Sequence, residues 1–190
     1  MTFIRGDSCQ LLAFDPENSY IVEKFTTYVN AGLTTKFMMT GSIPMRTKDY
    51  AEKFRQEMKS GDIIFAIWTT GIDGKGLDFV GTCGLHSHRD IYRSWEFRIL
   101  ICDPNYIGKG IGEDVTRLTV DYAFTRLNAH RVWLGVNADN VGAIKCYQKV
   151  GFKEEGRLRD EIFYYGKYVD AIRMGILESE WTSPTSDKAE

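Results

Sequence analysis

Apolar side chains recur at helical spacing in two stretches near the start of the chain, residues 16–30 ("PENSYIVEKFTTYVN") and 46–61 ("RTKDYAEKFRQEMKSG"). This spacing predicts two helices that each bury one face. A glycine, Gly32 or Gly61, follows each stripe and favours the end of the helix there. The apolar residues are Tyr20, Val22, Phe25 and Val29 in the first stretch and Tyr50, Phe54 and Met58 in the second. The intervening residues 34–44 have no clear period and are predicted to form a loop.

Short apolar segments predict strands elsewhere in the chain. "DIIFAIWTT" is apolar on both faces, which is typical of a strand inside a covered sheet. It is predicted to form a hairpin with the segment that follows the turn "GIDGKG". Residues 152–181 predict a closing pair of strands that turns at Gly166. The other predicted strands are "CQLLAF" (9–14), "LDFVGTCGLHSH" (77–88), "SWEFRILIC" (94–102) and "RVWLGV" (131–136).

Two more helices are predicted in the second half of the chain, over residues 113–127 and 140–151 ("NVGAIKCYQKVG"). The resulting order is strand, two helices, three strands, helix, strand, helix and two strands. This order predicts a mixed α/β sheet covered by helices, rather than the strict alternation of a doubly wound fold. We expect one domain over residues 1–181 and a disordered tail over 182–190.

Composition and charge narrow the range of partners. The chain has 190 residues and a formal net charge of -2, so it has no overall basic field that would attract nucleic acid or a membrane. Its first residues lack the apolar core of a signal peptide, and no run is long enough to span a bilayer. The cysteines at positions 9, 83, 102 and 146 are scattered, so we expect reduced thiols, no metal knuckle and a cytoplasmic location.

A glycine-rich loop follows the strand at residues 94–102 and precedes a helix, in "NYIGKGIGEDV" (105–115). Glycines let successive amides converge on an anion, and a helix N-terminus adds unpaired donors and partial positive charge. Lys109 offers a full positive charge. A nucleotide-binding Walker loop is excluded because it must end in Gly-Lys-Ser/Thr, whereas Gly112 is followed by Glu113, and the glycine spacing does not match the dinucleotide fingerprint. A plain surface turn remains the alternative.

A second motif, "NADNVGAIKCYQKVGF" (137–152), lies one strand downstream, and the two together resemble the GNAT acetyltransferase superfamily. The resemblance covers roughly residues 8 to 181 and points to the branch of ribosomal-protein, polyamine and sugar-amine N-acetyltransferases. It implies a mostly antiparallel, twisted sheet of about seven strands flanked by about four helices. Ile107 departs from the family pattern, which has Arg or Gln at this position. The matching residues are Gly108, Gly110 and Gly112 in the loop, and Asn140, Ala143, Ile144, Tyr147, Gly151 and Phe152 in the second motif.

The resemblance implies acetyl-CoA as co-substrate and direct attack of an amine on its thioester. Tyr147 would be the general acid, with a core tyrosine as the alternative. Glu96 would act as a base through water, unless it is a strand carboxylate paired with Arg98. Asn140 would both cap its helix and contact the cofactor, although capping alone would explain it. The remaining cofactor contacts implied are main-chain groups of Leu100, Ile101 and Cys102 and the loop residues Ile107, Gly108, Lys109, Gly110, Ile111 and Gly112.

Three other side chains invite a chemical interpretation. His86 and His88 share one face of a strand, but no third metal ligand is evident, so ordinary polar roles are expected, with His86 as an outside candidate for the base. Cys146 lies next to Tyr147 and is expected to be inert.

The acceptor is expected to be a small-molecule amine such as an amino sugar or a polyamine. The alternatives are the N-terminus of a protein, or a non-catalytic sensor that binds CoA. A homodimer is expected from the resemblance.

Overall fold

The computed structural model describes residues 4–32, 34–37, 43–164 and 166–183, without the side chains of 87–90 and 164. These residues form eight strands and four α-helices. The strands are β1 (Ile4–Arg5), β2 (Gln10–Ala13), β3 (Ile63–Thr70), β4 (Leu77–Arg89), β5 (Ser94–Ile101), β6 (Arg131–Asn137), β7 (Lys153–Tyr164) and β8 (Lys167–Leu177). The helices are α1 (Ser19–Ala31), α2 (Thr47–Lys59), α3 (Ile111–Arg126) and α4 (Val141–Val150).

The predicted helices all form, and local capping explains both ends of α1. Asn18 accepts a hydrogen bond from the amide of Ile21 (3.3 Å) and starts α1. Gly32 ends α1 in the left-handed region, at φ 72°. The second predicted helix ends slightly before Gly61, with Ser60 as its C-cap. No helix of the described residues is long and apolar enough to cross a membrane.

The strands form one sheet in the order β1-β2-β3-β4-β5-β6-β8-β7. All neighbouring pairs are antiparallel except β5 and β6, which are parallel. The register of this parallel pair runs from Ser94 opposite Arg131 to Glu96 opposite Trp133, and no further pairing joins the two strands among the described residues. The two strands therefore separate beyond Glu96.

Each face of the sheet has its own core. Helices α1 and α2 pack on one face around Phe25, Tyr50 and Phe54, which are all buried. Helices α3 and α4 cover the other face. Strand β5 divides its side chains between the two cores, because neighbouring residues of a strand point to opposite faces. Thus Phe97 lies on the α3/α4 face and Leu100 on the α1/α2 face.

The structure extends the sequence prediction at both ends of the chain. β1 was not predicted, and two residues are too few to carry an alternating pattern. Ser183, inside the predicted tail, donates a hydrogen bond to Asp121 (2.6 Å). Residues 184–190 of that tail, and residues 38–42 of the predicted loop between α1 and α2, lie outside the described residues.

Candidate active site

A cleft opens where β5 and β6 separate. Residues 97–101 of β5 and 134–137 of β6 continue as strands beyond the last paired position, Glu96 opposite Trp133. Main-chain groups at a sheet interior normally pair with a neighbouring strand, so the unpaired segment leaves donors and acceptors for a ligand. Strand β5 leads directly from this cleft into the glycine-rich loop.

Successive residues of β5 direct their main-chain groups alternately toward β4 and toward β6. The amide of Cys102 donates to the carbonyl of Val80 on β4 (2.8 Å). The carbonyl of Leu100 also faces β4, because a Cβ added at Gly81 would collide with its oxygen. The Leu100 carbonyl and the Cys102 amide therefore face β4, while the Cys102 carbonyl accepts a hydrogen bond from the Thr34 hydroxyl (3.0 Å).

The same alternation turns the main-chain groups of Phe97, Ile99 and Ile101 toward the cleft. Ile101 can thus offer the main-chain contacts expected of it. The corresponding contacts of Leu100 and Cys102 stay a prediction, which this geometry does not favour because the Leu100 carbonyl and the Cys102 amide face β4. An amide suited to the carbonyl oxygen of a thioester belongs to Ile99 rather than Leu100.

The glycine-rich loop presents free amides beside α3. Gly108 and Gly110 have φ of 77° and 80°, a region that other residues rarely adopt. A Cβ added at either glycine would meet no described atom within 4 Å, so the space in front of the loop is open. Among the described residues, no hydrogen bond uses the amides of residues 108–112. With the N-terminus of α3, these donors form a concave site suited to phosphate groups.

The two loop side chains singled out from the sequence have different surroundings. Ile107 is 54% exposed. Its amide donates to the carbonyl of Pro104 (3.3 Å), so it is not one of the amides that remain available to a ligand. The ammonium of Lys109 lies 5.3 Å from the centroid of the Tyr106 ring. This cation–π contact keeps a positive charge beside the free amides.

Tyr147 lies on α4 and is half-buried against the sheet. Its ring contacts Phe97 edge-on, with centroids 6.4 Å apart, and also packs on Phe152 at 6.0 Å. Burial raises the pKa of the Tyr147 phenol well above its usual range, and the neighbouring Cys146 adds to this effect. No described residue hydrogen-bonds to the hydroxyl, and its raised pKa keeps the proton on it.

Two asparagines flank the start of α4. The side chain of Asn140 accepts from the amide of Ala143 (3.2 Å) and caps the helix as predicted. Asn137, the last residue of β6, is 2% exposed, and its Nδ2 has no partner among the described residues. Its Oδ1 accepts from the amide of Asp139 (2.8 Å). An unpaired buried donor at the end of the separated strand suits a ligand carbonyl. Sequence reasoning missed Asn137, although it is the first residue of the second motif.

Glu96 lies on the α1/α2 face at the last paired position of β5. Its carboxylate forms an ion pair with Arg98 (2.8 Å), the alternative considered from the sequence. Glu96 stands opposite His86 in the β4–β5 register. The α1/α2 face at this point therefore combines a carboxylate, a guanidinium and an imidazole.

His86 is buried and hydrogen-bonded to a carboxylate, which is a more specific environment than the ordinary polar role expected for it. It is 7% exposed, and its Nδ1 lies 2.6 Å from Oδ2 of Asp62, the residue that directly precedes β3. A cavity of about 100 Å³ borders His86 and is lined by apolar side chains of α1 and α2. The buried hydroxyl of Tyr50, which lines this cavity, has no partner among the described residues. Sequence reasoning did not identify Asp62 or Tyr50, because only the fold brings them together.

Two further sequence predictions concern reactive or metal-binding groups. Burial raises the pKa of the Cys146 thiol, helped by Glu113, and so disfavours a thiolate there. The described residues contain no group of three or more side chains able to hold a metal ion. The side chain of His88 lies outside the described part, so a paired histidine site is not tested.

The chain is similar to proteins of a known family. Residues 22–153 match the model of the acetyltransferase (GNAT) domain. Among curated proteins, the spermidine N(1)-acetyltransferase of Vibrio cholerae is 39% identical over 104 residues, which is 55% of this chain and 60% of that protein. The matched part thus spans less than two thirds of this relative's length.

Solved structures resemble the chain over almost its whole length. A crystal structure of spermidine N-acetyltransferase from Vibrio cholerae in complex with CoA and spermine is 26% identical, with a TM-score of 0.75, and covers 91% of this chain and 97% of that one. A dodecameric structure of spermidine N-acetyltransferase from the same organism has a TM-score of 0.72 and 26% identity, and covers 96% and 99% of the two chains.

Proposed function

Because the chain belongs to the GNAT acetyltransferase family, we propose that it transfers the acetyl group of acetyl-CoA to a primary amine of a small molecule. The observation that carries this proposal is the end of β5–β6 pairing at Glu96 and Trp133. It leaves main-chain groups of β5 facing a cleft that leads to the free amides of residues 108–112. These are the donors that an extended, phosphorylated thioester carrier needs.

The residues along the cleft fit acetyl-CoA in order. The amides of Gly108, Gly110 and Gly112 suit the pyrophosphate, because glycine lets them converge and the space in front of the first two is open. The main-chain groups of Ile99 and Ile101 suit the amide groups of the pantetheine arm. The unpaired Nδ2 of Asn137 adds a donor from the opposite side of the cleft.

Acetyl-CoA supplies an acyl group activated as a thioester. A neutral amine attacks the thioester carbon, the new C–N bond forms and the C–S bond breaks. Tyr147 donates its phenolic proton to the departing sulfur. The raised pKa of Tyr147, caused by burial, keeps this proton in place at neutral pH. The amide of Ile99 stabilises the negative charge that develops on the carbonyl oxygen.

Among the small-molecule amines, polyamines are the acceptors that we favour. The curated relative and the solved structures are named as spermidine acetyltransferases. Three carboxylates, those of Glu57, Asp62 and Glu96, also belong to the α1/α2 side of the cleft, where an ammonium group would be attracted. Amino sugars remain within the proposal, since these carboxylates recognise a cation and not the rest of the molecule.

The test is release of CoA thiol when the purified protein is incubated with acetyl-CoA and a panel of amines, with the products identified by mass. We expect turnover with spermidine or spermine and a mass gain of one acetyl group. Turnover with a peptide N-terminus instead would identify a protein substrate. Binding of acetyl-CoA without turnover of any amine would show a CoA-binding sensor and contradict the proposal.

We further propose a homo-oligomer in the cytoplasm, where acetyl-CoA and free thiols occur together. The dodecameric relative supports assembly. Edge strand β7 and its partner β8 carry Phe163 and Tyr168, which are 62% and 63% exposed and whose tilted rings pack against each other with centroids 5.1 Å apart. An apolar pair at a sheet edge suits a second copy of the chain. Light scattering coupled to gel filtration tests this, and a monomer at all concentrations would contradict it.

A further inference from the structure

His86 and Asp62 form a pair with a defined hydrogen-bond direction. The 2.6 Å contact joins Nδ1 of His86 to a carboxylate oxygen, which can only accept when ionised. The neutral imidazole therefore donates from Nδ1, and its Nε2 keeps a free lone pair. This is the arrangement in which a carboxylate orients a histidine base.

The free nitrogen of His86 points along β4 toward Gly84. A Cβ added at Gly84 would lie 3.4 Å from Nε2 of His86, so the ring leans over this glycine. Gly84 pairs with Arg98, one step beyond the pair of His86 and Glu96 on the same face. That step leads toward residues 97–101, where β5 has separated from β6. Nε2 is therefore directed to the part of β4 that pairs with the separated segment of β5, the strand that borders the proposed thioester site.

The cavity beside His86 is shaped for a group with both polar and apolar parts. Its apolar walls come from both helices and both neighbouring strands, and the Tyr50 hydroxyl in its lining is buried without a partner among the described residues. The apolar wall residues are Phe25, Phe54, Ile64, Ile99 and Leu100. The ionisable groups that face this region are Lys53 and Glu57 from α2, Asp62 before β3, and Glu96 and Arg98 from β5.

We propose that this cavity holds the acceptor amine and that Nε2 of His86 accepts the proton that its ammonium group loses before attack. The inference rests on the proposed acetyl transfer and names its base. The N–H bond breaks, its electron pair stays on the amine nitrogen, and the proton converts the imidazole to an imidazolium ion that Asp62 stabilises. The imidazolium then passes this proton to water. As the C–S bond breaks, Tyr147 protonates the sulfur from the other face, and the former amine nitrogen loses its second proton, which returns to the Tyr147 phenolate through water. The products are the amide, the thiol and one proton released to solvent.

The contacts of Glu96 favour His86 over Glu96 as this base. Arg98 already occupies the Glu96 carboxylate at 2.8 Å. His86 has a free acceptor nitrogen, an orienting carboxylate and a cavity at its edge. Glu96 is then an electrostatic partner of the incoming ammonium, together with Glu57.

The experiment compares His86→Ala with the matched variant His130→Ala, which changes an exposed histidine at the start of β6. We expect kcat/KM of His86→Ala to fall about 100-fold or more and added imidazole to restore part of it. The wild-type profile of kcat/KM against pH should lose its acidic limb in His86→Ala. His130→Ala should keep the wild-type rate and profile. Melting curves of both variants identify any loss of fold.

A second measurement does not depend on turnover or on the fold of an alanine variant. The chain has three histidines, so nitrogen-15 NMR with single His→Gln variants can assign each ring. We expect His86 to carry its proton on Nδ1 and Asp62→Asn to shift the tautomer toward Nε2. Asp62→Asn should also lower kcat about tenfold with acetyl-CoA affinity unchanged, as a positioning residue does.

The outcomes separate the two proposals. Wild-type turnover combined with full activity in His86→Ala, or an Nε2–H tautomer in the native protein, overturns the role of His86 and leaves acetyl transfer intact. Absence of turnover by the wild type with every amine overturns acetyl transfer and the role of His86 with it. Activity lost in His86→Ala, restored by imidazole and unaffected in His130→Ala, supports the inference.

Discussion

The ring of Tyr147 packs edge-on against the ring of Phe97, with centroids 6.4 Å apart and an interplanar angle of 89°. Phe97 follows Glu96 on β5, and neighbours on a strand direct their side chains to opposite faces. Tyr147 therefore lies on the face of the sheet opposite to Glu96 and His86. The proposed proton donor and proton acceptor approach the cleft from opposite sides, which suits a displacement in which the nucleophile enters and the thiolate leaves on different sides.

Replacing Tyr147 by phenylalanine removes the proton donor and keeps the ring packing. We expect kcat to fall about 100-fold, while the Kd of acetyl-CoA from calorimetry changes less than about twofold. The general acid must be protonated, and burial raises the pKa of Tyr147. The wild-type kcat should therefore persist to a pH above the ordinary phenol range of about 10 before it declines.

The matched variant for this prediction is Tyr20→Phe, at an exposed tyrosine on α1. Its kcat should equal that of the wild type. Equal turnover by Tyr147→Phe and the wild type would remove Tyr147 from the mechanism and leave it as a core tyrosine.

Replacing Gly110 by valine should weaken acetyl-CoA binding about tenfold, a loss of roughly 1.4 kcal/mol. Gly110 has φ of 80°, which a β-branched residue adopts only with strain, so the amides of the loop would shift. The space in front of the glycine is open, so the added side chain would stand where the phosphates bind. The KM for acetyl-CoA measures the effect.

Gly74→Val provides the matched variant for Gly110, because Gly74 has φ of 74° and equally open surroundings in the turn between β3 and β4. Both variants should lose similar stability, and only Gly110→Val should lose cofactor affinity. An unchanged KM in Gly110→Val would count against the loop as the phosphate site.

Substitutions at Asn140 separate its capping role from its proposed contact with the cofactor. Asn140→Asp keeps an N-cap acceptor for the amide of Ala143 but removes the amide donor. We expect Asn140→Asp to keep the wild-type Tm and to weaken acetyl-CoA binding. Asn140→Ala should weaken binding as well and also lose about 1 kcal/mol of stability. Full affinity in both variants would assign Asn140 to capping alone.

The closed end of the cleft is braced by an ion pair between Arg131 on β6 and Glu155 on β7. The pair passes over Gly175 of β8, where an added Cβ would collide with the Glu155 carboxylate. Hydrogen bonding to Arg131 lowers the pKa of Glu155. We expect Glu155→Gln to lower the free energy of unfolding by about 1 kcal/mol at neutral pH.

The sign of the pH dependence follows from that lowered pKa. The stabilisation is present above the unfolded pKa of about 4.3 and is lost as pH falls through the lower folded value. The difference between wild type and Glu155→Gln in denaturant melts should therefore be constant well above the unfolded pKa and shrink as pH falls below it. A difference that persists at low pH would assign the effect to packing rather than charge.

Much of the site was visible in the sequence because it depends on local rules. Helical spacing places Tyr147 and its neighbours on α4, and Asn140 occupies the N-cap that its residue type favours. Gly108 and Gly110 adopt the positive φ values that make glycine necessary in such a loop. Each of these features needs only residues within one or two turns of the chain.

Sequence reasoning is weakest where distant strands meet. The register with β4 decides which main-chain groups of β5 remain free, and it does not favour the predicted cofactor contacts of Leu100 and Cys102. Asp62 and His86 stand 24 residues apart and form no motif. Their pairing follows from the antiparallel register of β3 and β4.

Residue order alone was enough to specify the helices, most strand boundaries and a glycine loop suited to phosphate, because steric limits on φ and the periodicity of apolar side chains act between near neighbours. The fold in three dimensions decided that β5 and β6 separate after Glu96, which main-chain groups then face the cleft, and that His86 meets Asp62 beside a cavity. These features depend on strand pairing and on the packing of two cores against one sheet, and such long-range choices are made by the whole chain at once.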